Sequence, residues 1–188
     1  MEAREPILPT ITFPEGLTPK DRELVMQQCE LQSATTKEQI EGFARAYSEA
    51  KALATDEERL GALNPEALLD LIARLGASIE TRNQSGFRRV EVTFPDGTKA
   101  LPAPLVEGAI EKYAKAYAEK RLTTDQAYKE FEDIHPFEDG NGRTGDLLWK
   151  IAVARETGIW PEALPPNIYG LRAPAKQEYR SAFGEVEK

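Results

Sequence analysis

Apolar residues recur at three- and four-residue steps through most of this chain, and polar start signals stand where the steps begin. Thr18-Pro19 reads as an N-cap with proline in the first helical turn, and Leu24, Val25, Gln28 and Leu31 predict a helix to about Ser33. A second helix is predicted from Thr36 to Leu53, with Ile40, Phe43, Ala44 and Tyr47 on one face. Asn64-Pro65 repeats the start signal ahead of Leu68, Leu69, Ile72 and Leu75. Pro102 to Leu105 opens another helix, whose stripe is read as Leu105, Ala109, Ile110, Tyr113 and Ala116. Thr124 to Ile134 follows, with Thr123 or Thr124 as cap and Ala127 and Phe131 facing inward. Leu147, Leu148, Ile151 and Ala152 mark a last helix. Residues 1–17, with Pro6, Pro9, Pro14 and Gly16, read as an extended arm.

The period changes to two in one place. Phe87 to Phe94 alternates between faces, Pro95-Asp96-Gly97 is a turn signal, and Thr98 to Leu101 can return as a second strand. The expected fold is therefore mainly α, a helical bundle with a small β-hairpin, in a single domain over 18–188 after the arm.

Composition narrows the function classes. A chain of 188 residues buries enough surface for a core without metals or disulfides. Cys29 is the single cysteine, so neither a disulfide framework nor a zinc cluster forms within one chain. No leader pattern and no apolar run long enough for a bilayer stand out, so the expectation is a cytoplasmic protein with no membrane partner. The net charge of −8 argues against nucleic acid, which needs a basic surface. Lys112, Lys115, Lys120 and Arg121 read as a solvated helix face, and a homo-oligomer is left open.

The chemistry concentrates in one segment, which opens on the single histidine: His135-Pro-Phe-Glu-Asp-Gly-Asn-Gly-Arg-Thr-Gly-Asp146. A glycine-rich turn feeding a helix leaves backbone N–H groups unpaired at the positive end of the helix dipole, which suits phosphate. Arg143 adds a forked donor to the same oxyanions. Asp139 can hold magnesium against phosphate oxygens, although Glu138 and Asp139 also read as ordinary acids near a helix start. His135, with an ordinary pKa near 6.5, is the natural group to take a proton from an attacking hydroxyl. Together these pieces describe transfer of a phosphate-linked group to a hydroxyl.

His135 to Arg143 reads HPFEDGNGR and resembles the signature of the Fic family, H-x-F-x-(D/E)-G-N-G-R-x-x-R. The resemblance implies a protein nucleotidyltransferase that moves AMP from ATP onto a Ser, Thr or Tyr hydroxyl of a target protein, with magnesium. It implies His135 as general base, Phe137 packed beneath the loop, Asp139 on magnesium, and Gly140, Asn141, Gly142 and Arg143 on the phosphates. It also makes the hairpin, through Val90, Glu91, Val92 and Thr93, a flap that aligns the target segment by strand addition. The Doc-like branch carries lysine at the second glycine of the turn and moves the terminal phosphate; Gly142 places this chain on the nucleotidyl side. The resemblance runs over about residues 85–160.

The final signature arginine falls at Asp146, marking it as a donor-specificity position. Two unit charges about 5 Å apart interact by roughly 3 kcal/mol at an effective dielectric near 20, so a carboxylate here repels an outer phosphate. Asp146 can recruit another magnesium, favour a different donor such as another nucleotide or a CDP-linked group, or signal a module that binds without turnover. Many Fic proteins restrain themselves with an (S/T)-x-x-x-E-(G/N) helix whose glutamate pairs with that arginine. Ser181 to Val186 fits all but the last position, and Glu41-Gly42 has the ending but Lys37 at its start. With Asp146 in place, glutamate-type self-inhibition is not expected.

Overall fold

The computed structural model describes residues 10–167. Among them seven α-helices form: α1 (Pro19–Leu31), α2 (Lys37–Ala54), α3 (Glu57–Gly61), α4 (Pro65–Ile79), α5 (Ala103–Ala118), α6 (Thr124–Ile134) and α7 (Asn141–Thr157), with a 3-10 turn at Thr81–Ser85 between α4 and α5. The starts follow local chemistry. Thr18, Thr36 and Thr123 each accept from the third helical amide while Asp21, Gln39 and Gln126 reach back, closing capping boxes on α1, α2 and α6. Asn64 caps α4 through the Ala67 N–H. α3, which the pattern did not predict, is five residues long and buries none of them, so it carries no apolar period to read.

α4 lies against α2, α5 and α7, and α7 packs on both α2 and α6. Val25, Phe43, Tyr47, Leu68, Ile72, Leu75, Ile110, Tyr113, Phe131, Phe137, Leu147, Leu148 and Ile151 form one core at their junction. Two stripes shift from expectation. α5 buries Val106, Ile110, Tyr113, Ala114 and Tyr117, whereas Leu105 is 56% exposed. Positions 106, 110, 113 and 117 keep helical spacing, so the face is turned by about one residue from the predicted stripe. Leu31, at the end of α1, is also exposed. The described part of the arm has no helix and lies on α2, with the Thr12 N–H donating to Glu41 Oε1 at 2.8 Å. Asp21 then ties three segments. It accepts from Lys51 at 2.6 Å and from the Tyr47 hydroxyl at 3.1 Å, and that hydroxyl accepts from Trp160 Nε1, beyond α7, at 3.1 Å.

The β-hairpin does not form. Among the described residues there is no strand, only one isolated antiparallel bridge between Thr93 and Lys99. The predicted turn is present: Phe94 N–H donates to Thr98 at 2.7 Å and Ala100 N–H to Val92 at 3.0 Å around Pro95-Asp96-Gly97. Two physical causes stop the ladder. Val90 is 50% exposed and Glu91, Thr93, Thr98 and Lys99 are exposed, so this two-stranded piece has only part of one face covered, less than strand pairs need for stability. In the Thr93–Lys99 register, moreover, Val90 would stand opposite Pro102, which has no N–H to donate, and its carbonyl accepts from the Arg88 guanidinium instead. The candidate docking residues Val90, Glu91, Val92 and Thr93 therefore sit in an extended loop rather than a strand.

One close approach in this packing is severe. α4 passes the motif loop at Gly76, where an added Cβ would lie 2.2 Å from the Phe137 ring, itself fully buried. Gly76→Ala is expected to lower stability by about 1–3 kcal/mol through overpacking, read as the shift in the urea midpoint at constant m. An unchanged midpoint would refute this contact.

Candidate functional site

The site is the six-residue link between α6 and α7, residues 135–140, together with what grips it. His135 is the C-cap of α6 and holds φ 50°, a left-handed conformation that non-glycine residues rarely adopt. Its imidazole stands edge-on to Phe94, with ring centroids 4.8 Å apart. Beyond it, the Asn141 carboxamide spans the loop: Oδ1 accepts from the Phe137 N–H and Nδ2 donates to the Phe137 carbonyl, both at 2.9 Å. Asn141 thus fixes the loop with its side chain, and only its backbone amide is placed at the helix start. Gly140 stands at the N-cap with φ 77°, and a Cβ there would lie 2.7 Å from Ile79. No side chain caps α7, so its first amides have no intrahelical partner and no capping oxygen.

The charged groups meet the end of α4 and the 3-10 turn. Arg143 is 1% exposed and its Nη2 donates to Glu80 Oε1 at 2.8 Å; the same oxygen accepts from Gln39. Arg143 Nε and Nη1 find no hydrogen-bond partner among the described residues. Asp139 accepts from Arg82 at 2.8 Å and from the Gly140 N–H at 2.7 Å, and its side chain is 40% exposed. From the other side α1 covers the turn: Gln28 Nε2 donates to the Gly142 carbonyl at 3.2 Å, and a Cβ on Gly142 would meet the Gln32 carboxamide.

Asp146 lies inside the core. It is fully buried and ion-paired with Lys150, one turn along α7, whose ammonium also lies over the Tyr47 and Trp149 rings. The carboxylate expected to repel an outer phosphate is therefore matched by a cation of its own helix. Cys29 is buried near the same charges. Burial pushes its thiol up from 9.0 to about 11, with Arg143 opposing and Asp146 and Glu80 reinforcing.

Five residues that grip the loop were not read as site residues in the sequence: Gln28, Glu80, Arg82, Asn83 and Arg88. Arg88 had a signal, since it falls on the same alternating face as Val90, Val92 and Phe94, a cation among apolar positions. It is 3% exposed, and burial draws its pKa below the usual guanidinium value, partly countered by Glu91. Of the two glutamates considered for self-inhibition, Glu41 bonds the Thr12 N–H and faces Lys37, and Ser181–Glu185 lies outside the described residues. A hollow of about 500 Å³ runs beside the loop, along Phe87, Arg88, Arg89, Ala103, Pro104 and Glu107.

Comparison with known proteins places this geometry in context. Residues 62–151, just under half of the chain, match the model of the Fic/DOC family. That span runs from α4 through the motif loop into α7, and so begins earlier than the region that carries the motif resemblance. No curated protein and no solved structure matches the chain. No helix among the described residues is long and apolar enough to cross a membrane.

Two expectations test these buried groups. Asp146→Ala should cost about 3–5 kcal/mol by stranding the Lys150 ammonium, whereas Asp146→Leu with Lys150→Met should be near neutral or stabilising, as read by chemical denaturation. Equal losses in both proteins would deny the pair its buried character. At pH 8, Cys29 should react with a disulfide reagent no faster than the chain unfolds. Because the unfolded thiol ionises near 9.0 and the folded one near 11, its contribution to stability is complete below pH 9 and is lost as pH rises toward 11. Rapid stoichiometric labelling of native protein would overturn this.

Proposed function

We propose that this chain is a Fic-type transferase that moves a nucleotide monophosphate, AMP from ATP as first choice, onto a Ser, Thr or Tyr hydroxyl of a target protein. The observation that carries the reading is Arg143. A guanidinium 1% exposed, with Nε and Nη1 lacking hydrogen-bond partners among the described residues, stands at the third position of a helix whose N-terminus has no side-chain cap. Unpaired buried donors are costly, about 1–3 kcal/mol for each group, and an oxyanion shared with the helix amides offsets that cost.

In this reaction His135 takes the proton of the target hydroxyl as its oxygen forms a bond to the α-phosphorus. The bond from that phosphorus to the bridging oxygen breaks, and pyrophosphate leaves with the electron pair. Arg143 and the amides of Asn141 and Gly142 stabilise charge on the phosphate oxygens, held in place by Glu80 and by the Asn141 side chain. Asp139 suits magnesium: its carboxylate is partly exposed, and one or two carboxylates plus substrate phosphates commonly hold that ion. Among the described residues no cluster of three or more His, Cys, Asp and Glu is gathered, so phosphates and water complete the set, and Arg82 must release Asp139. When bound, the ion draws negative charge from the phosphate oxygens. The hollow beside Phe87 and Pro104 offers the target segment a place near the loop.

A second reading keeps the site and changes the donor. The closed Asp146–Lys150 pair presents no net cation one turn into α7, which favours a donor with less charge beyond the transferred group, such as a CDP-linked one.

The test is mass analysis of proteins incubated with magnesium, host lysate and a panel of nucleotide donors. An AMP adduct that falls about 100- to 10,000-fold in His135→Ala, with nucleotide binding kept, is the expected result. Another His135-dependent adduct selects the second reading. Labelling that survives His135→Ala removes the base assignment, and nucleotide binding with no adduct from any donor favours a module without turnover.

A further inference from the structure

We infer that Arg88 is a positioning residue for His135, one that couples the histidine's orientation to the loop in front of it. The inference rests on the reading of His135 as the base. Arg88 Nε donates to the His135 carbonyl at 2.7 Å, Nη1 to Val90 at 3.0 Å, and Nη2 to Leu101 at 2.5 Å and more weakly to Ile134 at 3.4 Å. Its own N–H donates to the Pro136 carbonyl at 2.8 Å. One residue therefore holds the carbonyls of Ile134, His135 and Pro136 on one side and those of Val90 and Leu101 on the other.

The chemistry explains the choice of arginine. The last carbonyls of α6 lack intrahelical partners and carry the negative end of the helix dipole, so they suit a buried cation. Only the planar guanidinium fork reaches acceptors in several directions at once. His135 needs such a hold because its φ of 50° persists only where the surroundings over-determine it. Phe94, from the same loop, sets the ring from the side. The loop that Arg88 anchors is thus the one that touches the imidazole, and displacement of one displaces the other.

The chain has one histidine, so the imidazole C2–H gives a single unambiguous NMR signal. Arg88→Lys keeps the cation and can bond some of the carbonyls but cannot span them; Arg88→Gln removes the charge as well. Positioning predicts that folded Arg88→Lys shows a shifted, broadened or split His135 signal. It also predicts kcat for adduct formation lowered about a hundredfold, the effect of a small misplacement of a reacting group, with the donor KM unchanged. A folded Arg88→Lys protein whose His135 signal and kcat match the wild type overturns the inference, even if it is less stable. Should Arg88→Gln fail to fold, Arg88→Lys decides. Should the wild type transfer nothing from any donor, the functional reading fails, and the His135 signal still tests the positioning.

Discussion

The site depends on one constraint: the turn between α6 and α7 must be buried and rigid while leaving the first amides of α7 without a cap. Loops usually lie at the surface because buried backbone groups need partners. Here the Asn141 carboxamide supplies both a donor and an acceptor to Phe137, closing the loop from within. With that reciprocal pair in place, Gly140 can hold positive φ against Ile79, and the α7 dipole points into the site rather than at a capping side chain. A Ser or Asp at Gly140 is barred by that φ and by Ile79, so the residue that would normally cap the helix and occupy its first amides is kept out.

Burying such a turn brings charge into the core, and the fold manages it pair by pair. α7 is buried nearly all round, including Asn141, Arg143, Asp146 and Lys150. Asp146 and Lys150 neutralise one another within the helix, whereas Arg143 is held from outside it by Glu80 at the end of α4. The two pairs differ in kind. The first lies one turn inside the helix, whereas the second stands at its uncapped start and leaves two guanidinium donors without a hydrogen-bond partner, so the second is the better placed to meet a ligand. Burial is also why Glu80 had to be a carboxylate at the point where the α4 stripe ends: an apolar residue there would strand Arg143.

Much of this was legible in the residues, and the failures have physical causes. Helix starts at Thr18, Thr36, Asn64 and Thr123 were readable because capping is local chemistry. The α5 face was misplaced because Leu105 and Val106 are equally apolar, and only packing against α4 and α6 decides which turns inward. The hairpin failed for a related reason. Alternation at 87–94 states a preference for two faces, but Val90 and the outward residues stay exposed, and the Thr93–Lys99 register would set Val90 opposite Pro102, which has no N–H to give. Motif residues could be recognised by type and spacing, whereas Glu80, Arg82 and Gln28 arrive from 114 to 57 positions away, a juxtaposition no local pattern encodes.

The grips on the loop also divide by side. The glycine end is held by α1, α4 and the 3-10 turn, through Gln28, Glu80, Arg82 and Asn83, whose Nδ2 donates to the Asp139 carbonyl at 2.9 Å. The histidine end is held by Arg88 and Phe94, from the exposed loop between that turn and α5. Between them stands Phe137, packed on Gly76 and hydrogen-bonded to Asn141, so the two ends are held by separate contacts. A rigid anion turn beside a histidine held by an exposed loop is a sensible division where a small donor must be bound the same way each time. On the proposed function the second reactant is a protein segment of variable shape, and contact with the exposed loop is then the event that sets the imidazole. Discrimination between targets would accordingly act on the proton-transfer step more than on donor binding.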